Sequence, residues 1–342
     1  MKKVTIKEVA KRAGVGIATV SRVLNNNYPV RDQVKENVLN AIRELDYQPN
    51  GIARSLKNKK TNTIGVIVAD ISNAFFMQIA KGIESVVYNH GYNLIIASTS
   101  ENPEKELQVL RALSEKRVDA MIISPCSSDG KFIKQLTERG MPIVLVDRKI
   151  PSLSIDLIVE DNFSASYKLV SYLISNGHKK IAIMNGLNFV SSGLERFEGY
   201  KKALEDNGIA IRNEYILEGA FQKENAYEKI KEMLDKYKPE QLPTAIFAAN
   251  NLMAEGAMIA LYERNMRIPE DISLVSFGDI GSSELIKPKL TVISQKAFDM
   301  GQKAGEIVIK RITNDNNLNS DSYKEIVIVS DMYIGQSVSR LT

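Results

Sequence analysis

A chain of 342 residues, 44% hydrophobic and 25% charged, is long enough for two or three domains, and no apolar run approaches the roughly 20 residues of a membrane helix. A single cysteine, Cys126, excludes an internal disulfide, and with only His90 and His178 beside it a metal site is a poor reading; no cofactor is expected, and cytoplasmic residence is. The net charge of +4 is unevenly spread: residues 1–60 hold 13 Lys and Arg against 5 Asp and Glu, whereas residues 61–342 hold 32 against 36. A short basic head on a mildly acidic body suggests that the head meets a polyanion and the body does something else.

The head reads as helical. Thr5 and Glu8 stand at the spacing of a capping box, and Ile6, Val9 and Ala10 then mark one apolar face. Gly14 supplies a tight turn, and a second helix is expected over about 17–24, with Val20, Val23 and Leu24 facing inward. Two short helices joined by a glycine turn form a helix-turn-helix, whose second helix enters the major groove. Ile17, Ala18 and Arg22 are then the candidates for base edges, and Thr19, Ser21 and Asn25 for phosphates. Ile17 and Ala18 suit thymine-methyl contacts, and Arg22 suits a guanine. A third helix is expected from Asp32 to about Leu45, because Val34, Val38, Ala41, Ile42 and Leu45 recur at helical spacing. Pro49 stops it by pushing Gln48 out of helical geometry.

Asn50 can cap one more short helix, Gly51–Leu56, with Ile52, Ala53 and Leu56 on one face and Arg54, Lys57, Lys59 and Lys60 beside it. Six residues are too few to be helical alone. Two readings stay open: an ordinary linker, or a hinge that folds only on DNA beside its twin and wedges Leu56 into a minor-groove step.

The runs Thr19-Val20-Ser21-Arg22-Val23-Leu24-Asn25 and Tyr47-Gln48-Pro49-Asn50-Gly51-Ile52-Ala53-Arg54-Ser55-Leu56 resemble those of the lactose-repressor (LacI) family of bacterial regulators. The resemblance implies that Leu56 intercalates at the centre of the operator, and that Thr5, Asn50 and Ala53 join the DNA contacts. Val34-Lys35 departs from the Thr-Arg that the family often has there.

From Thr63 onward, strand-like runs (63–69, 92–98, 120–124, 143–147) alternate with helix-length segments (75–90, 103–116), and Gly91 and Gly140 close two of the helices. The rhythm restarts with 157–159, 162–176, 180–185, 245–249, 251–266 and 273–277. Alternation of this kind predicts parallel sheets covered on both faces, here two α/β subdomains with a crevice between them. The expected division is 1–49 for DNA binding, 50–61 for hinge and linker, and 62–342 for effector binding and dimerisation. Within the last, one subdomain is expected over about 62–161 and 291–324, the other over about 162–290 and 325–342. After a last strand at about 324–330 the chain has no heptad leucine tail, so a dimer rather than a tethered tetramer is expected.

Ligands of open parallel sheets bind beyond the carboxyl ends of the strands. Residues there are polar: Asp70, Ser72 and Asn73; Asp147 and Arg148; Asp161; Ser191, Ser192 and Arg196; Asn250 and Asn251; Asp279. Each alone reads as a helix cap or turn residue, and only the recurrence is persuasive. The LacI resemblance implies a periplasmic-binding-protein type of body, with Phe76 and Phe221 as opposing walls, Arg148 and Arg196 as polar anchors and Asn250 at the pocket floor. Gly278 stands where many members carry an aspartate that holds sugar hydroxyls. Two arginines without that carboxylate suggest a sugar acid or sugar phosphate as effector, clamped by Arg148 and Arg196, with a neutral sugar as the alternative.

The function these readings point to is a repressor of a carbohydrate-utilisation operon, dimeric on a palindromic operator and controlled by a small molecule in the crevice. A regulator of the same architecture whose signal is a phosphorylated carrier protein is a second reading. A doubly wound sugar-modifying enzyme is a third, weakened because neither Gly-x-Gly-x-x-Gly after a strand nor Gly-x-x-x-x-Gly-Lys-Ser/Thr is present.

Overall fold

Three helices make the head: α1 (Ile6–Ala13), α2 (Ile17–Asn25) and α3 (Asp32–Glu44). The computed structural model describes residues 4–25, 29–48, 60–281, 283–313 and 323–341. The chain divides into two compact units, 1–61 and 62–342. Val9, Ala10, Val20, Val38 and Ala41 form the head's buried centre. α3 ends before Pro49 can act: Asp46 takes a positive φ of 44° and the Tyr47 amide returns to the Ile42 carbonyl at 3.0 Å. That left-handed closure satisfies a carbonyl the helix would otherwise leave bare.

The body is built on two six-stranded sheets. β1 (Thr63–Val68), β2 (Asn93–Ser98), β3 (Ala120–Ile123), β4 (Ile143–Val146), β5 (Asp156–Glu160) and β11 (Glu325–Ile328) form the first, in the order β11-β5-β4-β3-β1-β2, with every pair parallel. β6 (Ile181–Asn185), β7 (Ile216–Glu218), β8 (Ala245–Ala248), β9 (Ser273–Phe277), β10 (Thr291–Ser294) and β12 (Asp331–Tyr333) form the second, in the order β12-β10-β9-β8-β6-β7. Only β12 runs antiparallel there, against β10. The inner strands are buried along their length, as strands covered on both faces must be.

The first sheet is flanked by α4 (Ala74–Val87), α5 (Pro103–Glu115), α6 (Lys131–Glu138) and α11 (Ala297–Thr313). The second is flanked by α7 (Asn162–Ser175), α8 (Ser191–Asp206), α9 (Lys223–Lys236) and α10 (Asn251–Glu263). α4 and α11 cross where Gly82 meets Gly301; a Cβ on either would strike the other helix's backbone.

The carboxyl-terminal part of the expected division is corrected by the strand order. β10 (Thr291–Ser294) belongs to the second sheet, and β11 (Glu325–Ile328) to the first. Asp156, at the start of β5, explains the second placement. Its carboxylate accepts from Arg311 Nε at 2.7 Å and from the Lys324 amide at 3.0 Å, which sets β11 beside β5. The chain therefore crosses between lobes three times, near 161, 295 and 329. The last strand is β12, not the expected 324–330.

Candidate functional site

In the head, the turn into the reading helix is made by Gly14 at φ 67°, in open space, and by the Val15 amide bonded to the Ala10 carbonyl at 3.1 Å. The Glu8 carboxylate accepts from the Thr5 amide at 2.7 Å and from its hydroxyl at 3.0 Å, so Thr5 caps α1 and turns its hydroxyl toward Glu8. α2 buries Val20 completely. Ile17, Ala18 and Arg22 lie exposed on its other side, with Thr19 and Ser21 half-buried. The spacing accounts for that face, since 17 and 21 align at i, i+4 and 18 and 22 lie beside them. Ile17 exposed at 45% is an unusual apolar side chain for a solvated helix and suits a methyl-reading contact. Asn25 ends the helix. Asn50, Ala53 and Leu56 lie outside the described residues.

In the body, a cavity of about 190 Å³ opens between the carboxyl ends of the two sheets. Asp70, Asn73, Phe75, Phe76, Ser100, Glu101, Asp147 and Arg148 line it from the first lobe. Ser192, Arg196, Phe221, Gln222, Glu224, Asn250, Asn251 and Leu252 line it from the second, and Gln295 comes from a crossover. Of the ten effector candidates, Asn73, Phe76, Arg148, Ser192, Arg196, Phe221 and Asn250 are thus brought together. Three are not. Ser72 is exposed and gives its hydroxyl to Asp70 at 2.8 Å. Asp161 caps α7 through the Ser164 amide at 3.0 Å. Asp279 accepts from Ser294 at 2.6 Å and lines a separate groove with Ile280 and Tyr333. Gly278, at φ 99°, turns the chain between the cleft and Asp279, and a Cβ there would sit 2.8 Å from Gln295 Oε1.

The walls are aromatic but not in the expected pairing. Phe76 is 4% exposed and meets Phe75 edge-on at 5.1 Å, so half-buried Phe75 shares the first wall. Phe221 packs against Gly186, where any Cβ would overlap its ring. Arg148 and Arg196 stand 5.2 and 5.9 Å from its centroid. Phe221 has a φ of 62°, and Ala220, Ser100, Glu101 and Asp147 also sit at positive φ. Such conformations cost free energy in residues with a Cβ, and their clustering around one cavity marks a site whose shape is imposed by the surrounding fold.

The expected two-arginine clamp is not what the structure builds. Arg148 Nη1 and Nη2 donate to the two Glu101 carboxylate oxygens at 2.7 and 2.6 Å, and Nη1 also reaches the Pro125 carbonyl at 3.2 Å. Arg148 Nε lies 3.3 Å from Asp147. The anion site expected at Arg148 is therefore filled by the protein, because a guanidinium 3% exposed needs a carboxylate. Burial raises the Asp147 pKa, opposed by Arg148 and Arg196. Arg196 donates from Nε to Asn162 at 2.9 Å and from Nη1 to the Ala249 carbonyl at 2.7 Å, and its guanidinium lies 3.7 Å from the Phe277 ring centroid. Burial lowers its pKa, against the pull of Asp147 and Glu160. Nη2 has no hydrogen-bond partner among the described residues.

The lobes touch across this cleft. Asn73 Nδ2 donates to Asn251 Oδ1 at 3.2 Å, and Asn251 Nδ2 returns a bond to Asn73 Oδ1 at 3.0 Å, with both residues buried. The Lys149 amide donates to Ser191 at 2.9 Å, and its ammonium pairs with Glu195 at 2.5 Å. Asn250 caps α10 through the Met253 amide at 2.8 Å and holds the Phe221 carbonyl at 3.1 Å, so it positions the wall. The arrangement can bind and sense closure. Among the described residues, no group of three His, Cys, Asp or Glu is placed to hold a metal.

Phe75, Ser100, Glu101, Gln222, Glu224, Leu252 and Gln295 also line the cavity and were not among the residues expected there. Glu101 had a usable signal, since it lies three residues beyond the end of the second strand at Ser98. Gln222 and Gln295 follow β7 and β10, two strands that the sequence pattern did not single out.

Comparison with known proteins agrees with both halves of the molecule. Residues 5–50 match the family described as bacterial regulatory proteins of the lacI family, and residues 61–334 match the periplasmic binding proteins and sugar binding domain of that family. The chain is 36% identical over 338 residues to the transcriptional repressor PurR of Histophilus somni, covering 98% of this chain and 99% of the relative. The lac repressor dimer bound to operator and an anti-inducer superposes with a TM-score of 0.83 at 26% identity, over 99% of this chain and 100% of that one. A regulator from Enterococcus faecium with bound ribose gives 0.72 at 29% identity, over 82% and 100%. No helix among the described residues is long and apolar enough to cross a membrane.

Proposed function

We propose, since the chain belongs to the LacI family of bacterial transcriptional regulators, that it represses a carbohydrate-utilisation operon as a homodimer on a palindromic operator, released or strengthened by a small polar ring ligand in the interlobe cleft. The family is one of DNA-binding repressors with an effector-binding body, not of enzymes. The finer reading rests on one observation. A small cavity with phenylalanine walls and converging side-chain amides, hydroxyls and charges lies where two parallel sheets end and two lobes meet.

A sugar ring suits this lining: its apolar face lies on Phe75 or Phe221, and its hydroxyls meet Asp70, Asn251 and Arg196 Nη2. About 190 Å³ is below the roughly 300–1,000 Å³ of a drug-sized pocket, which favours one or two rings over a longer ligand. Coupling to DNA follows from a two-state body. A ligand that contacts both lobes favours one relative placement of them, and a dimer converts that placement into the spacing of its two reading helices. The twofold symmetry of a dimer in turn requires a palindrome.

The test is to select duplexes from a random pool with the purified chain, and then to titrate the selected operator in the presence of sugars, purine bases and their phosphates. A palindromic consensus whose affinity changes at least tenfold with one such compound supports the reading. A non-palindromic selection, or operator release that needs a phosphorylated carrier protein and no metabolite, overturns it.

A further inference from the structure

We propose that Glu101 sets the charge class of the ligand: by filling the Arg148 fork it leaves a pocket for an uncharged hydrogen-bonding ring and turns away carboxylates and phosphates. This rests on the cleft being the effector site.

Three observations carry it. First, the pair is complete. Both Glu101 oxygens are engaged by Arg148 at 2.6 and 2.7 Å, and the side chains are 9% and 3% exposed. A bidentate guanidinium–carboxylate pair is the geometry an anionic ligand would otherwise claim. Second, the exchange brings no gain. A ligand carboxylate that displaced Glu101 would replace one such pair by another and leave the Glu101 charge buried without its partner. Third, Asp70, Glu101, Asp147 and Glu224 outnumber Arg148 and Arg196 around the cavity, so an entering anion meets a net negative lining.

The loop that aims Glu101 is itself held. Ser100 and Glu101 both have φ 55°, the Glu101 amide donates to the Ala69 carbonyl at 3.2 Å, and Lys105 Nζ donates to Ser100 at 2.8 Å. Two consecutive residues with a Cβ in left-handed backbone persist only where their surroundings fix them. The carboxylate is therefore delivered by the loop's shape, and Arg196 Nη2 is left as the cationic donor for a neutral oxygen.

The experiment uses the full chain, wild type and Glu101→Ala, with propionate as a stand-in for the missing side chain and propionamide as its uncharged match. Binding is read by calorimetry and by the thermal midpoint. Glu101→Ala should bind propionate about tenfold to a hundredfold more tightly than wild type does, the ratio that one charge-assisted hydrogen bond is worth, and should prefer it to propionamide. Equal propionate affinity in the two proteins, or a folded Glu101→Ala that does not discriminate the pair, overturns the proposal. If Glu101→Ala does not fold, Glu101→Ser is read by the same criteria.

A second arm needs no variant. Wild type is offered ribose against ribose 5-phosphate and glucose against glucuronate; an anionic member that binds more tightly than its neutral match overturns the proposal. Absence of binding by every sugar and base would count against the cleft as an effector site, while the propionate arm still decides the role of Glu101.

Discussion

Asn251→Ala removes both amide–amide hydrogen bonds that join the lobes at the cleft. The substitution leaves the α10 cap intact, because that cap is Asn250. Each lost bond is worth about 0.5–1.5 kcal/mol net, so the closed arrangement should lose about 1–3 kcal/mol relative to an open one. That is a change of roughly 5–150-fold in the closed-to-open ratio. The assay is pulsed dipolar spectroscopy between spin labels on cysteines introduced at Lys131 and Glu228, both exposed and on different lobes. Cys126 does not interfere: it is buried, and burial with Glu106 nearby pushes its thiol up to about 12, so it holds almost no reactive thiolate at neutral pH. The distance distribution should broaden or shift to longer values in Asn251→Ala, and Asn73→Ala should reproduce the change without adding to it in the double variant. Unchanged distributions in both single variants would refute the idea that this pair latches the lobes.

Other expectations follow from the same geometry. Arg22→Ala should weaken binding to the selected operator by about 1–3 kcal/mol and relax preference at a single base pair, read by anisotropy titration; a uniform loss across all sequences would mean a phosphate contact instead. Gly278→Asp, which restores the family's common aspartate, should lower the thermal midpoint by at least roughly 2–4 °C, since the residue has φ 99° and a Cβ would crowd Gln295; an equal or higher midpoint contradicts this. His178 is fully buried, with its ring nitrogens against Thr244 at 2.9 Å and the Ser339 carbonyl at 3.0 Å, and burial lowers its pKa below 6.5. The unfolded chain therefore takes up a proton first, so stability is full above about pH 6.5 and declines as pH falls below it. Denaturant titrations from pH 7.5 to 5 should show this decline in wild type and a shallower one in His178→Gln; identical slopes would contradict it.

Much of this architecture could be read from the amino acids because its signals are local. Runs such as Thr63–Val68 and Ser273–Phe277 are strands rich in Ile, Leu, Val and Phe, and Gly91 and Gly140 do close helices at φ 76° and 86°. Asn73, Arg148, Ser192, Arg196 and Asn250 were legible because parallel sheets expose their strand ends to ligand, a rule that needs no knowledge of contacts, whereas Phe76 and Phe221 were implied only by the family resemblance. The misreadings share a cause in long-range pairing. β12 is three residues with an exposed–half-buried–exposed pattern, visible only through its antiparallel partner β10. β11 belongs to the first sheet because Asp156 holds Arg311, a partner 155 residues away. Arg148 looked like a free anchor because Glu101, 47 residues distant, carries no sequence mark of their pairing. Asp279 looked like a pocket residue because the turn at Gly278 that carries it away is conformational rather than compositional.

Control of the head's grip on DNA by one ligand in the cleft is the proposal on which the rest depends. It is tested most directly by titrating the selected operator with wild type and with Arg196→Ala, in the presence and absence of the effector the screen identifies. Arg196 lines the cleft and belongs to the body, so the variant should keep the wild-type operator affinity without effector and lose most of the effector-induced change. An effector response of wild-type size in Arg196→Ala would contradict the account.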